Sequence, residues 1–297
     1  MVDCDLISPG FEQIVPGSSR LEELASGCTF TEGPVWNALG EYLLWSDIPE
    51  DRIRLWSPTN GVSSFRDPSG KSNGLTYDKE GRLIACEHAN RRVSRTEPSG
   101  SITTLAREYD GKRLNSPNDV VVKSDGSIYF TDPPYGLMQG LGGSDTKQYL
   151  DFCGVYRLVP NSRELKLLVD DFKRPNGLAF SPDESLLYID DTEQGHIRVF
   201  DVKSDGSLGT GRDFVALKGD GPGAPDGLKL DIDGNIYCTG PGGIFVISPE
   251  AEILGRIRML DHTTNLSWGD SDRQSLFITA SSSVYRLRLN IPGVPLK

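Results

Sequence analysis

The chain has 297 residues, enough for one large β domain or two ordinary domains, and ample for a sizeable core. Its 31 Lys and Arg stand against 42 Asp and Glu, and the resulting net charge of −11 argues against a surface built to neutralise nucleic-acid phosphates. No apolar run approaches the roughly 20 residues that span a bilayer, and 33 glycines with 19 prolines predict short strands separated by many turns.

From the N-terminus, MVDCDLISPG carries acids where a signal peptide needs a basic segment followed by an apolar one. This predicts a cytosolic protein, or a periplasmic one behind a removed leader. The five cysteines, Cys4, Cys28, Cys86, Cys153 and Cys238, form no C-x-x-C pair and read as reduced thiols. The segment LEELASGCTF from Leu21 is strand-like but has no hairpin partner of its own.

A repeat then begins. Its copies read EGPVWNALGEYLLWSD from Glu32, NGLTYDKEGRLIACEH from Asn73, NDVVVKSDGSIYFTDP from Asn118, NGLAFSPDESLLYIDD from Asn176, DGLKLDIDGNIYCTGP from Asp226 and NLSWGDSDRQSLFITA from Asn265. In each, a short apolar strand is broken by an acidic or glycine turn before a second β-rich run, which is a hairpin. Further strands such as HIRVFDV from His196 and RDFVAL from Arg212 follow, and residues 162–169 read as a strand rather than a helix. Four strands per copy at starts 39 to 58 residues apart predict an all-β, six-bladed β-propeller with four-stranded antiparallel blades, one domain over 1–297. The last copy shows only three strands, so the segment from Leu21 is expected to close the ring as its outer strand and hide an open edge.

In a propeller the start of each innermost strand faces one mouth of the central channel. Glu32, Asn73, Asn118, Asn176, Asp226 and Asn265 should therefore meet there, all oxygen donors, as suits a hard cation and not a Cys/His zinc site. Asn-Gly and Asp-Gly are also favoured turn pairs, although Glu32 has no such local reason. A second column, Asp47, Glu87 or His88, Asp132, Asp190 or Asp191, Gly240 and Thr279, returns to the same mouth along the antiparallel partner strand; some of these acids would only bind loop amides. The long Gly-rich insertion at about 132–153 leaves that mouth as a lid-like loop. Tyr135 within it and His88 are candidate substrate contacts.

The segments FTEGPVW, SNGLTYD with ACEH, LNSPNDVVV with YFTDPPYG, RPNGLAFSPD and PDGLKLD resemble the SMP-30/gluconolactonase/luciferin-regenerating-enzyme family, and FTDPPYG resembles its bacterial gluconolactonase branch. The resemblance spans all six blades. It implies hydrolysis of a sugar-acid lactone, with one divalent cation held by Glu32, Asn176 and Asp226 and Asn118 contacting substrate or water. Calcium is foremost, and magnesium, manganese, iron or zinc are also compatible. Animal relatives carry an Arg two residues before that Asn. Ser116 stands there in this chain, and Arg113 is the candidate replacement.

On this reading the cation polarises the lactone carbonyl, Asp226 is the general base, and Asn118, His88, Tyr135 and Arg113 read the sugar hydroxyls. The expected partner is a small sugar lactone, with neither nucleic acid nor membrane. The rival expectations are aryl-ester or organophosphate hydrolysis at the same site, and a non-catalytic calcium-binding or interaction propeller.

Overall fold

The computed structural model describes residues 2–159, 162 and 164–296. Among these, six antiparallel sheets follow one another in chain order, and each runs outward from an innermost strand. The innermost strands are Thr31–Asn37, Ser72–Tyr77, Val120–Val122, Pro175–Phe180, Leu228–Leu230 and Thr263–Gly269. Each touches its counterpart in the next blade, and the sixth touches the first. This is the six-bladed propeller that the repeat predicts.

The apolar alternation of each hairpin explains where the core lies. Six hydrophobic clusters are found, one in each gap between neighbouring blades; Trp36, Trp45, Trp56 and Phe277 fill the gap between blades six and one. Polarity emerges only toward the rim, where the outer strand Gly61–Arg66 is mostly exposed. The strand expected around 162–169 is found at Leu165–Phe172, while Arg163 lies outside the described residues.

Ring closure follows the sequence reading: Leu21–Ala25 pairs with Ser283–Arg288 as the outer strand of blade six. A second clasp was not legible. Cys4–Leu6 adds a fifth strand to blade five, and the short helix Gly10–Ile14 buries Phe11 and Ile14 between blades five and six. Among the described residues no helix is long and apolar enough to cross a membrane, and the five cysteines are free thiols.

Candidate active site

The mouth is built by a local irregularity at the start of the innermost strands. Pairing slips between Glu32 and Val35, Ser72 and Leu75, Pro175 and Leu178, and Thr263 and Asn265. Such a bulge turns backbone groups out of their own ladder; in blades two and four the freed glycine amide bonds to the next blade, and Gly227 in blade five does the same. Gly74 N–H donates to Asn118 O at 2.8 Å, Gly177 to Asp226 O at 2.5 Å and Gly227 to Thr264 O at 2.9 Å. Glycine follows the polar residue because a Cβ on Gly33, Gly74 or Gly177 would collide with the carbonyl oxygen of Asn73, Asn118 or Asp226. The pairs are therefore not turns: of Gly33, Gly74, Gly177 and Gly227, only Gly33 has positive φ, at 51°.

The same pattern corrects the sixth position. Gly227 bonds to Thr264, and a Cβ on Gly227 would strike the Asn265 side chain much as one on Gly74 would strike Asp119. Thr264 therefore occupies the position of Glu32 and Asn176, and Asn265 matches Asp119. The sequence signal was Leu266, which aligns with Leu75, Val120, Leu178 and Leu228 two residues after the column.

In the second column, three acids clamp the loop that feeds their own blade. Asp47 accepts the Thr29 and Phe30 amides, Asp132 those of Asn115 and Ser116, and Asp191 those of Lys173 and Arg174. Glu87 is held by Arg66, Arg92 and Ser94. Thr279 bonds to the Thr264 hydroxyl at 2.8 Å. Asp190 differs: it is fully buried, its Oδ1 has no protein partner, and burial and the Asp119 charge push its carboxyl well above the usual range.

The centre brings the predicted trio together. Burial, reinforced by the charges of Glu32, Asp190 and Asp119, raises Asp226 far above an ordinary carboxyl, and the neighbouring Asn176 amide opposes that rise. Burial also raises Glu32, to about 7, although it accepts the Gly33 amide at 2.7 Å and the Asn265 amide at 3.2 Å. Asn176 donates through Nδ2 to Thr192 Oγ1 at 3.0 Å, which leaves its buried Oδ1 without a partner. Thr192 is itself fixed by donating to Pro225 O at 2.7 Å.

Two repelling carboxyls, one buried and one only slightly open to solvent, and an orphaned buried amide oxygen fit a hard divalent cation, which would neutralise the carboxyls and coordinate the amide. Among the described residues no three His, Cys, Asp or Glu converge as a metal cluster, so a cation held here would need the Asn176 amide oxygen among its ligands. Behind the trio, the Lys229 ammonium lies 3.0 Å from Leu228 O, 3.4 Å from Asn265 Oδ1 and 3.7 Å from Asp119 Oδ2. A cavity of about 90 Å³ at the opposite end of the channel, lined by Lys229, Val121, Phe180, Trp268 and the 294–296 tail, is thus separated from the acidic mouth.

The insertion is strapped down rather than hanging free. Ser116 Oγ donates to Pro133 O and accepts the Gly136 amide at 2.8 Å, Lys71 Nζ reaches Gly140 O at 2.6 Å, and Arg91 and Arg113 share Asp145. Tyr135 stands beside Thr192, near Asp226, with the Arg174 guanidinium 5.9 Å above its ring. His88 is enclosed: Nδ1 lies 3.2 Å from Leu141 O, Nε2 is 3.4 Å from the Asn73 amide, and Gly136 packs on its Cβ. Asn118 is buried in the column with both backbone groups engaged. Arg113 is bonded to Asp145 at 2.6 Å, so its guanidinium already has a partner. Sequence reasoning did not single out Asp119, Lys229, Thr192 or His262, whose Nε2 lies 4.0 Å from Asp226 Oδ2.

Fold and mouth together define a six-bladed propeller with a buried acid-and-amide centre at one end of its channel. The chain matches the SMP-30/Gluconolactonase/LRE-like region over residues 30–282 and belongs to that family. It is 36% identical to a gluconolactonase of Zymomonas mobilis, over 96% of this chain and 86% of that protein. The crystal structure of a putative gluconolactonase superposes with a TM-score of 0.92 at 32% identity, covering 99% of this chain and all of the other. A gluconolactonase of Xanthomonas campestris gives 0.89 at 35% identity, covering 96% and 94%.

Proposed function

We propose that this chain is a lactone hydrolase that opens a sugar-acid lactone to the aldonic acid, aided by one divalent cation held by Glu32, Asn176 and Asp226. Its family membership and its likeness to gluconolactonases support the reaction class. The observation that carries the site is the convergence of the buried Glu32 carboxyl and the largely buried, mutually repelling Asp226 carboxyl with an amide oxygen that lacks any protein partner. A divalent cation bound there polarises the lactone carbonyl and supports negative charge on its oxygen.

The chain's own groups do the rest. Asp226 takes a proton from the attacking water as the water oxygen bonds to the carbonyl carbon. The ring C–O bond then breaks, and the departing oxygen takes that proton back from Asp226 to become the hydroxyl of the open acid, which restores the carboxylate. Lactones are reactive enough that a base weakened by a neighbouring cation suffices. Asn118 and Tyr135 flank the mouth and orient the sugar hydroxyls. His88 and Arg113 hold the insertion that walls it, His88 through Leu141 and Arg113 through Asp145.

The test is a pH-indicator hydrolysis screen of several aldonolactones and an aryl ester, on chelated protein and after restoring each metal singly. Aldonolactone turnover should vanish on chelation, return with calcium or another divalent ion, and exceed aryl-ester turnover. Glu32→Gln and Asp226→Asn should remove it while leaving the β circular-dichroism spectrum unchanged. Full turnover in metal-free protein would overturn the metal-assisted reading.

A further inference from the structure

Two residues before the column, each blade places one side chain on the rim of the mouth: Phe30, Lys71, Ser116, Arg174, Ala224 and His262. Three of the four polar ones are engaged with the insertion, Lys71 at Gly140, Ser116 at Pro133 and Gly136, and Arg174 over Tyr135. His262 stands on the opposite side and is free of it. Its backbone is fixed by the Ser281 amide at 2.9 Å, and its ring meets Phe30 edge-on at 6.2 Å. Its Nε2 is buried, has no hydrogen-bond partner, and lies 4.0 Å from Asp226 Oδ2.

That separation is too long for a direct hydrogen bond and suits a shared one. An oxygen about 2.8 Å from each atom subtends roughly 90°, close to the angle between the two O–H bonds of water. We infer that His262 is a further catalytic residue of the proposed lactonase: its Nε2 accepts one hydrogen of the attacking water while Asp226 Oδ2 accepts the other. The two acceptors leave one lone pair of that water aimed at the lactone carbonyl carbon. As the new C–O bond forms, the proton on the Asp226 side transfers and the other stays on the adding oxygen. His262 thus fixes the direction of attack from the side of the mouth that the insertion leaves uncovered.

The inference rests on the lactonase reading, and one experiment separates the two. His262→Phe and His262→Gln are compared with wild type for kcat and KM on the best aldonolactone, for calcium affinity by calorimetry, and for melting temperature. Phe keeps the ring contact with Phe30 but has no acceptor, so kcat and kcat/KM should fall together by about 10²-fold. Gln, whose carbonyl oxygen can replace Nε2, should regain a substantial part of that loss. Calcium affinity and melting temperature should stay at wild-type values in both. Wild-type kcat in His262→Phe would overturn the role of His262 alone, as would a loss matched by lost calcium affinity. Wild-type protein inactive on every lactone would overturn the underlying reading as well.

Discussion

His88 shows how an enclosed side chain acquires a role different from the one its residue type suggests. Burial lowers its pKa from 6.5 to about 4, so it is neutral at pH 7. With Leu141 O facing Nδ1, that nitrogen carries the proton and Nε2 is the acceptor toward Asn73. Between about pH 6.5 and 4 the unfolded chain binds a proton at this site that the folded chain refuses, so the His88 contribution lowers stability as the pH drops through that window. The shift corresponds to a loss on the order of 3 kcal/mol. Buried carboxyls such as Glu32, Asp190 and Asp226, raised by burial, titrate with the opposite sign, so urea unfolding at pH 7 and pH 4.5 should show wild type losing more stability, or gaining less, than His88→Gln, the difference between the two being the His88 contribution. An unchanged slope would place the titration elsewhere. At this scale the sequence disclosed residue types but not partners. Glu32, Asn176 and Asp226 were readable as members of the column because each opens a repeat, and as a trio only through the family resemblance, whereas Asp119 and Lys229 acquire meaning only from the Asn265 side chain, 146 and 36 residues away.

The polar-Gly-apolar triplet that opens most blades is the element that turns sequence into site. At Gly74, Gly177 and Gly227 the glycine gives up a side chain so that its amide can reach the next blade, and that bond fixes the backbone of the next column residue, whereas the Gly33 amide turns to the Glu32 carboxylate. Gly177→Ala would drive a Cβ into Asp226 O and to 2.7 Å from Asp190 Oδ2. It should cost about 1–3 kcal/mol of stability and weaken calcium binding as well, because Asp226 is displaced. Calorimetry and thermal melting check both effects, and wild-type affinity would show that Asp226 does not depend on this contact. The hairpins were legible from period-two alternation and acidic turns. The one-residue slip in blade six arose because Asn265 is polar like the column residues, while the true criterion is which carbonyl the preceding blade's glycine amide reaches, here that of Thr264. The insertion was legible as a feature of the mouth, but its attachment was not, since its straps run to Lys71, Arg91 and Arg113 on earlier parts of the chain.

For the whole molecule, six blades close because the strand at Leu21–Ala25 completes the last of them, a consequence visible in the missing fourth strand of the final repeat. The additional clasp at Cys4–Leu6 and Gly10–Ile14 left no repeat signal, being held by tertiary contacts such as Phe11 against Gly255 and Asp5 with Arg256 and Arg258. Phe11→Ala should therefore lower stability by about 3–5 kcal/mol, read as a lower denaturation midpoint with turnover retained below it; an unchanged midpoint would show the clasp to be dispensable. The ring brings residues from blades one, four and five to one mouth, and the proposed hydrolysis depends on their sharing one ion. Calcium titration calorimetry on wild type, Glu32→Gln, Asn176→Ala and Asp226→Asn tests this most directly. The account predicts one ion per chain in wild type and its loss, or severe weakening, in each variant. Undiminished binding in all three would contradict it.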